Sequence, residues 1–149
     1  MEISLLQPAD LDLMYGVLDL FGEVFADRQS YCESQPSRAY LADLLVSREF
    51  IAIAALEQGS VVGGLAAYEL RKFERERSEI YVYDLAVAEP HRRRGIATAL
   101  IERLTTVAAE RGAWVIFVQA DHGDEPAIAF YSKLGTREDV MHFDIAVDD

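Results

Sequence analysis

The sequence predicts a single α/β domain, residues 1–149, in which a mixed and mostly antiparallel sheet is flanked by helices. Three observations predict it. Residues 80–87 concentrate β-branched and aromatic side chains that suit a largely buried strand, and from Ile96 onward the apolar residues fall at helical spacing. Two further apolar stretches, 50–56 and 61–70, are joined by Glu57-Gln58-Gly59-Ser60, a hairpin signal with glycine in the turn. A chain of 149 residues with 51% hydrophobic content can bury one sizeable core and is short for two.

The elements follow in order. Residues 3–6 read as a first strand, and Pro8-Ala9-Asp10 as a turn into a helix over residues 11–25, with Asp10 as its cap. The polar passage 26–36 has no periodicity and reads as a loop. Residues 37–46 place Tyr40, Leu41, Leu44 and Leu45 at helical intervals. After the hairpin, the charges of residues 69–79 alternate in sign, which reads as an exposed rim leading to the strand at 80–87. Glu89 and Pro90 stop that strand. A helix of roughly four turns begins at Ile96 and ends at Arg111 and Gly112. Residues 113–120 read as a buried strand, 126–134 as a short helix with Pro126 in its first turn, and 140–147 as a final strand.

The composition restricts function. With 26 Asp plus Glu against 14 Lys plus Arg, the net charge is −12, which argues against sequence-independent nucleic-acid binding and favours a cationic partner. No run reaches the length of a membrane span, and residues 1–10 lack the basic and then apolar plan of a signal peptide. A cytoplasmic protein, with no membrane partner, is the expectation. The lone Cys32 excludes an internal disulfide, and His91, His122 and His142 lie too far apart for metal-ligand spacing, so no metal is expected.

Between strand and helix lies Arg92-Arg93-Arg94-Gly95-Ile96-Ala97-Thr98. Glycine lets the backbone approach a ligand closely, and the first amides of a helix have no intrahelical partner, so this turn is suited to an anion. Three consecutive arginines beside a positive helix end repel one another, and a pyrophosphate would relieve them. The bland alternative is a solvated basic loop.

Arg92, Gly95 and Ala97 form an Arg-x-x-Gly-x-Ala signature directly after the strand, which resembles the acetyl-CoA pyrophosphate loop of the GNAT N-acetyltransferases. Residues 127–135, AIAFYSKLG, resemble that family's last helix. The resemblance implies the GNAT fold, in which the strands at 80–87 and 113–120 splay so that Leu85, Ala86 and Val87 can pair with the pantetheine arm of acetyl-CoA. It also implies that the first helical pair and its loop, with Tyr31 and Glu33, border the acceptor site. Residues 65–87, 89–101, 118–135 and 137–145 together resemble the type I aminoglycoside 3-N-acetyltransferases of gentamicin resistance. The implied activity is transfer of an acetyl group from acetyl-CoA to the 3-amino group of a deoxystreptamine ring. Family members often form dimers, so a homodimer is expected.

Acyl transfer to an amine needs two proton transfers. Tyr131 occupies the position of the family's general acid. Asp84 is the candidate base, because a carboxylate inside an apolar run is costly without a purpose or partner; Asp121, Asp124 and Glu125 are alternatives. Asp121, Asp124, Glu125 and Asp144 are candidates for holding a polycationic acceptor, although Asp124 could equally be a helix cap. Asp124 and Thr136 depart from the family's usual Asn and aromatic residue. Rival readings are an acetyltransferase for polyamine or protein amines, and a catalytically silent acetyl-CoA-binding module.

Overall fold

A computed structural model describes residues 1–148. These form two compact units, residues 1–118 and the residues from Gln119 onward. In the first unit, five strands lie in the order β1-β2-β3-β4-β5: β1 (Glu2–Leu5), β2 (Phe50–Glu57), β3 (Ser60–Arg71), β4 (Ser78–Val87) and β5 (Ala113–Val118). Neighbours are antiparallel except β4 and β5, which are parallel and joined by a crossover helix. The helices of this unit are α1 (Leu11–Val24), α2 (Arg28–Tyr31), α3 (Arg38–Val46) and α4 (Ile96–Arg111).

β2 reads as an unbroken apolar run because both of its faces are covered. Ile51, Ile53 and Ala55 pack with Ile96, Leu100, Leu104 and Val107 of α4, whereas Phe50, Ala52, Ala54 and Leu56 pack with Met14, Val17 and Phe21 of α1 and Leu41 and Leu45 of α3. Two glycines of β3 let these layers close. A Cβ on Gly63 would stand 2.8 Å from Ile96 Cγ2, and one on Gly64 would stand 3.0 Å from Val17 Cγ1. Leu100, on the core face of α4, is fully buried. Leu100→Ala should lower the unfolding free energy by about 2–5 kcal/mol, read from a urea titration, because it removes a fully buried side chain and leaves a cavity in this core.

Several expectations need correction. Asp10 makes no side-chain cap to α1; its Oδ2 accepts from the Gln7 amide at 2.8 Å, closing the preceding turn instead. The passage 26–36 contains the one-turn helix α2, capped by Asp27, which is too short to show a period. Residues 69–79 are not all exposed rim. β3 runs to Arg71 and β4 starts at Ser78, and Glu69 is 3% exposed, held by Arg48 at 3.3 Å and Arg111 at 3.1 Å. Burial alone would raise its pKa, but hydrogen bonding with Ser78, Arg48 and Arg111 brings it below the usual carboxylate range. β5 is half-buried rather than buried, with Trp114 54% exposed.

The second unit contains α5 (Glu125–Ser132), whose first turn carries Pro126 as expected. The final strand expected at 140–147 does not form. Met141, Phe143, Ile145 and Val147 alternate as in a strand, yet all are exposed, and the segment lacks the ladder hydrogen bonds that make extended chain into a strand.

Candidate active site

The turn after β4 leads into a helix whose start has no side-chain cap. β4 ends at Val87, and Glu89–His91 make a single 3-10 turn. Arg93 then adopts φ +64° and Gly95 φ +78°, so the chain enters α4 through left-handed conformations. Gly95 caps α4 without any side-chain hydrogen bond, which leaves the first helical amides, at Ile96, Ala97 and Thr98, without a side-chain cap. Helix dipole and amides therefore favour negative charge at this point.

The three arginines differ in their present engagement. Arg94 donates from Nη1 and Nη2 to Glu57 at 3.0 and 3.1 Å, a bidentate pair reaching the end of β2, with His91 Nδ1 also 3.1 Å from Glu57. The hydrogen bonds from Arg94 hold Glu57 below the usual carboxylate range. Arg92 donates from Nε to the Val87 carbonyl at 3.1 Å. Part of the repulsion expected among these residues is thus relieved within the protein. Glu57 was not foreseen, since nothing in its local sequence marks it as the partner of a residue 37 positions away.

The β4–β5 ladder ends at the pair Val82 and Val118, whereas β4 continues to Val87 alongside β3. Leu85, Ala86 and Val87 lie beyond the last β5 partner, the place where an amide-bearing arm would add to a strand. A β-bulge precedes them. Ala66 pairs with Asp84 and Ala67 with Val82, so Tyr83 is an extra residue in the ladder.

The bulge decides where Asp84 points. Ile80 and Val82 join the α4-side core, and strict alternation would send residue 84 to that side too. After the bulge, Leu85 and Val87 take the α4 side, while Ala86 joins the core of α1 and α3. Asp84 shares the parity of Ala86 and meets Tyr31 of α2, whose hydroxyl donates to Asp84 Oδ2 at 2.9 Å. Burial raises the Asp84 pKa, and the Tyr31 hydrogen bond opposes that rise. The Asp84 charge acts on Tyr31, Tyr68 and Tyr81, and the rings of Tyr68 and Tyr83 lie 5.9 Å apart and those of Tyr81 and Tyr83 5.7 Å apart.

In the second unit, Tyr131 sits on α5 with its ring 5.1 Å from that of Phe130. Burial, and then the Asp124 carboxylate, raise its pKa, so the phenol keeps its proton at neutral pH. Asp124 is the N-cap of α5, accepting from the Ala127 amide at 3.3 Å, while Asp121 and Glu125 are exposed beside it. Asp144 pairs with His142 at 2.8 Å. Among the described residues no group of three or more His, Cys, Asp or Glu could hold a metal ion.

Residues 16–136 match the model of the acetyltransferase (GNAT) family. The chain belongs to that family. Its GNAT fold is similar to the crystal structure of the aminoglycoside acetyltransferase HMB0005 from an uncultured soil metagenomic sample, with 61% identity, 99% of this chain and 98% of that chain covered, and a TM-score of 0.97. The aminoglycoside acetyltransferase meta-AAC0020 from an uncultured soil metagenomic sample, in complex with sisomicin, is 32% identical over 99% of this chain and 96% of that chain, with a TM-score of 0.90. Streptothricin acetyltransferase of Streptomyces lavendulae is 29% identical over 60% of this GNAT chain, a match that spans only 44% of that curated relative's length.

Proposed function

We propose that this GNAT protein is one acetyltransferase domain, acting in the cytoplasm, that moves an acetyl group from acetyl-CoA to the 3-amino group of the deoxystreptamine ring of aminoglycosides such as gentamicin, and so confers resistance. The observation that supports the acceptor class most strongly is the 61% identity, over nearly the whole of both chains, to an aminoglycoside acetyltransferase. The 3-amino position and gentamicin come from the resemblance of the sequence blocks to the type I enzymes. A net charge of −12 suits a polycationic acceptor.

The residues present fit the donor: an uncapped helix start entered through Gly95 suits a pyrophosphate, and β4 beyond Val82 suits an amide-bearing arm. In this reading Arg92, Arg93 and Arg94 with the turn from Gly95 to Thr98 hold the pyrophosphate, and Leu85, Ala86 and Val87 pair with the arm. Arg94 would exchange part of its bond to Glu57 for the phosphate. Acetyl-CoA, when bound, would supply the thioester. Asp84 would take a proton from the acceptor ammonium, the freed amine would form the N–C bond as the C–S bond breaks, and Tyr131 would give the departing sulfur its proton. Asp121, Asp124, Glu125 and Asp144 would hold the acceptor's other ammonium groups. No metal enters this scheme. A homodimer is part of the proposal, supported by the exposed apolar residues Met141, Phe143, Ile145 and Val147, which a second copy could cover.

Thiol release measured with gentamicin, kanamycin, spermidine and a lysine peptide tests the acceptor class. Turnover only with spermidine or the peptide would defeat the aminoglycoside reading, and silence with all four would favour a binding module. Product NMR then fixes the amino position. Tyr131→Phe should lower kcat on the order of 10²-fold with little change in either KM, and an unchanged kcat would return Tyr131 to a packing role.

A further inference from the structure

We infer that Tyr31, on the one-turn helix α2, is the residue that positions the Asp84 carboxylate for its work on the acceptor amine. The inference rests on the proposed reading of Asp84 as the base. The hydroxyl reaches Asp84 Oδ2 at 2.9 Å from 53 positions away in the chain. Four features hold it there. Asp27 caps α2 by accepting from the Ser30 amide at 3.2 Å, and Gln35 Nε2 donates to the Tyr31 carbonyl at 3.1 Å. The Tyr31 ring lies 5.8 Å from Phe21 and 5.7 Å from Phe25 of the first helical segment. Gly22 permits the close approach of α2, since a Cβ there would stand 2.4 Å from Cys32 Sγ and 3.4 Å from Tyr31 Cβ.

The ring alone accounts for the packing, whereas the hydroxyl has a separate task. It donates to a half-buried carboxylate whose neighbours among titratable groups are tyrosines: Tyr31 from α2, Tyr68 from β3, and Tyr81 and Tyr83 from β4, with Tyr40 of α3 facing Tyr68 and Asp27 facing Tyr31. None of these supplies a positive charge to favour the ionised form. A hydrogen bond from a neutral phenol favours the carboxylate over the carboxylic acid and fixes one oxygen, so the direction of the other is set. A lysine or arginine in its place would favour the charge more strongly, but it would also repel the incoming ammonium. The surrounding ring faces suit a cation.

The test is Tyr31→Phe in the full chain, with the Asp84 carboxyl followed by 13C NMR against pH and assigned by its loss in Asp84→Asn. Loss of the hydroxyl should move the titration up by about one pH unit. It should lower kcat for gentamicin by up to about 10-fold at pH values below the folded pKa of Asp84, with recovery as pH rises and with KM for acetyl-CoA unchanged. An unmoved titration with wild-type kcat, while Asp84→Asn is crippled, would overturn the positioning role and leave the base assignment standing. Wild-type kcat in Asp84→Asn would remove the base assignment and this inference together. Should Tyr31→Phe not fold, Asp27→Ala loosens α2 with the phenol retained, and it must shift the same titration in the same direction for the inference to hold.

Discussion

Gly95→Glu should weaken acetyl-CoA binding by at least about 10²-fold in a titration calorimeter, with the fold retained. Gly95 has φ +78°, a conformation that a residue with a side chain adopts at a cost of roughly 1–2 kcal/mol. A Cβ at this point would meet nothing within 4 Å, so the first atom of a side chain has room. Its effect comes from strain in the turn and from a carboxylate placed where the helix amides would receive phosphate oxygens. Gly95→Ala separates the two causes. It carries the strain without the charge and should lose only about 10-fold in affinity. Wild-type affinity in Gly95→Glu would remove the pyrophosphate from this turn.

The turn was legible because its signals are local: a strand, a run of arginines, a glycine and a helical period follow one another within the residues that form it. The same holds for β2, β3, α1, α3 and α4, whose apolar periods match the two cores they serve. What escaped depends on pairing between distant segments. Glu69 reads as one charge in an alternating rim, and its burial is made tolerable by partners that include Arg48 and Arg111, 21 and 42 positions away. The Tyr83 bulge is a property of the β3–β4 register, so no inspection of β4 alone could tell that Asp84 faces α2 rather than α4. Residues 140–147 show the opposite failure. They have the chemistry of a strand, but a strand exists only in a ladder.

Asp84→Asn should lower kcat for the acceptor on the order of 10³-fold while making the protein more stable at neutral pH. Asparagine keeps an oxygen that can accept from Tyr31, so the geometry of the contact is preserved and the proton-accepting ability is lost. Burial raises the folded pKa of Asp84 above its unfolded value. The stability it contributes is therefore fully present below the unfolded pKa and is lost as pH rises through the folded pKa, because folding disfavours the charged form. The same ionisation that makes Asp84 a base thus weakens the fold. Activity should climb with pH through the folded pKa of Asp84, while the Tm of the wild type falls relative to that of Asp84→Asn over the same window. Thermal unfolding of both proteins across that window, run beside steady-state rates, tests the coupling. A Tm difference that does not change with pH would mean that Asp84 is not ionising in a desolvated site. Unchanged kcat would pass the role of base to Asp121, Asp124 or Glu125, each of which can be replaced in turn.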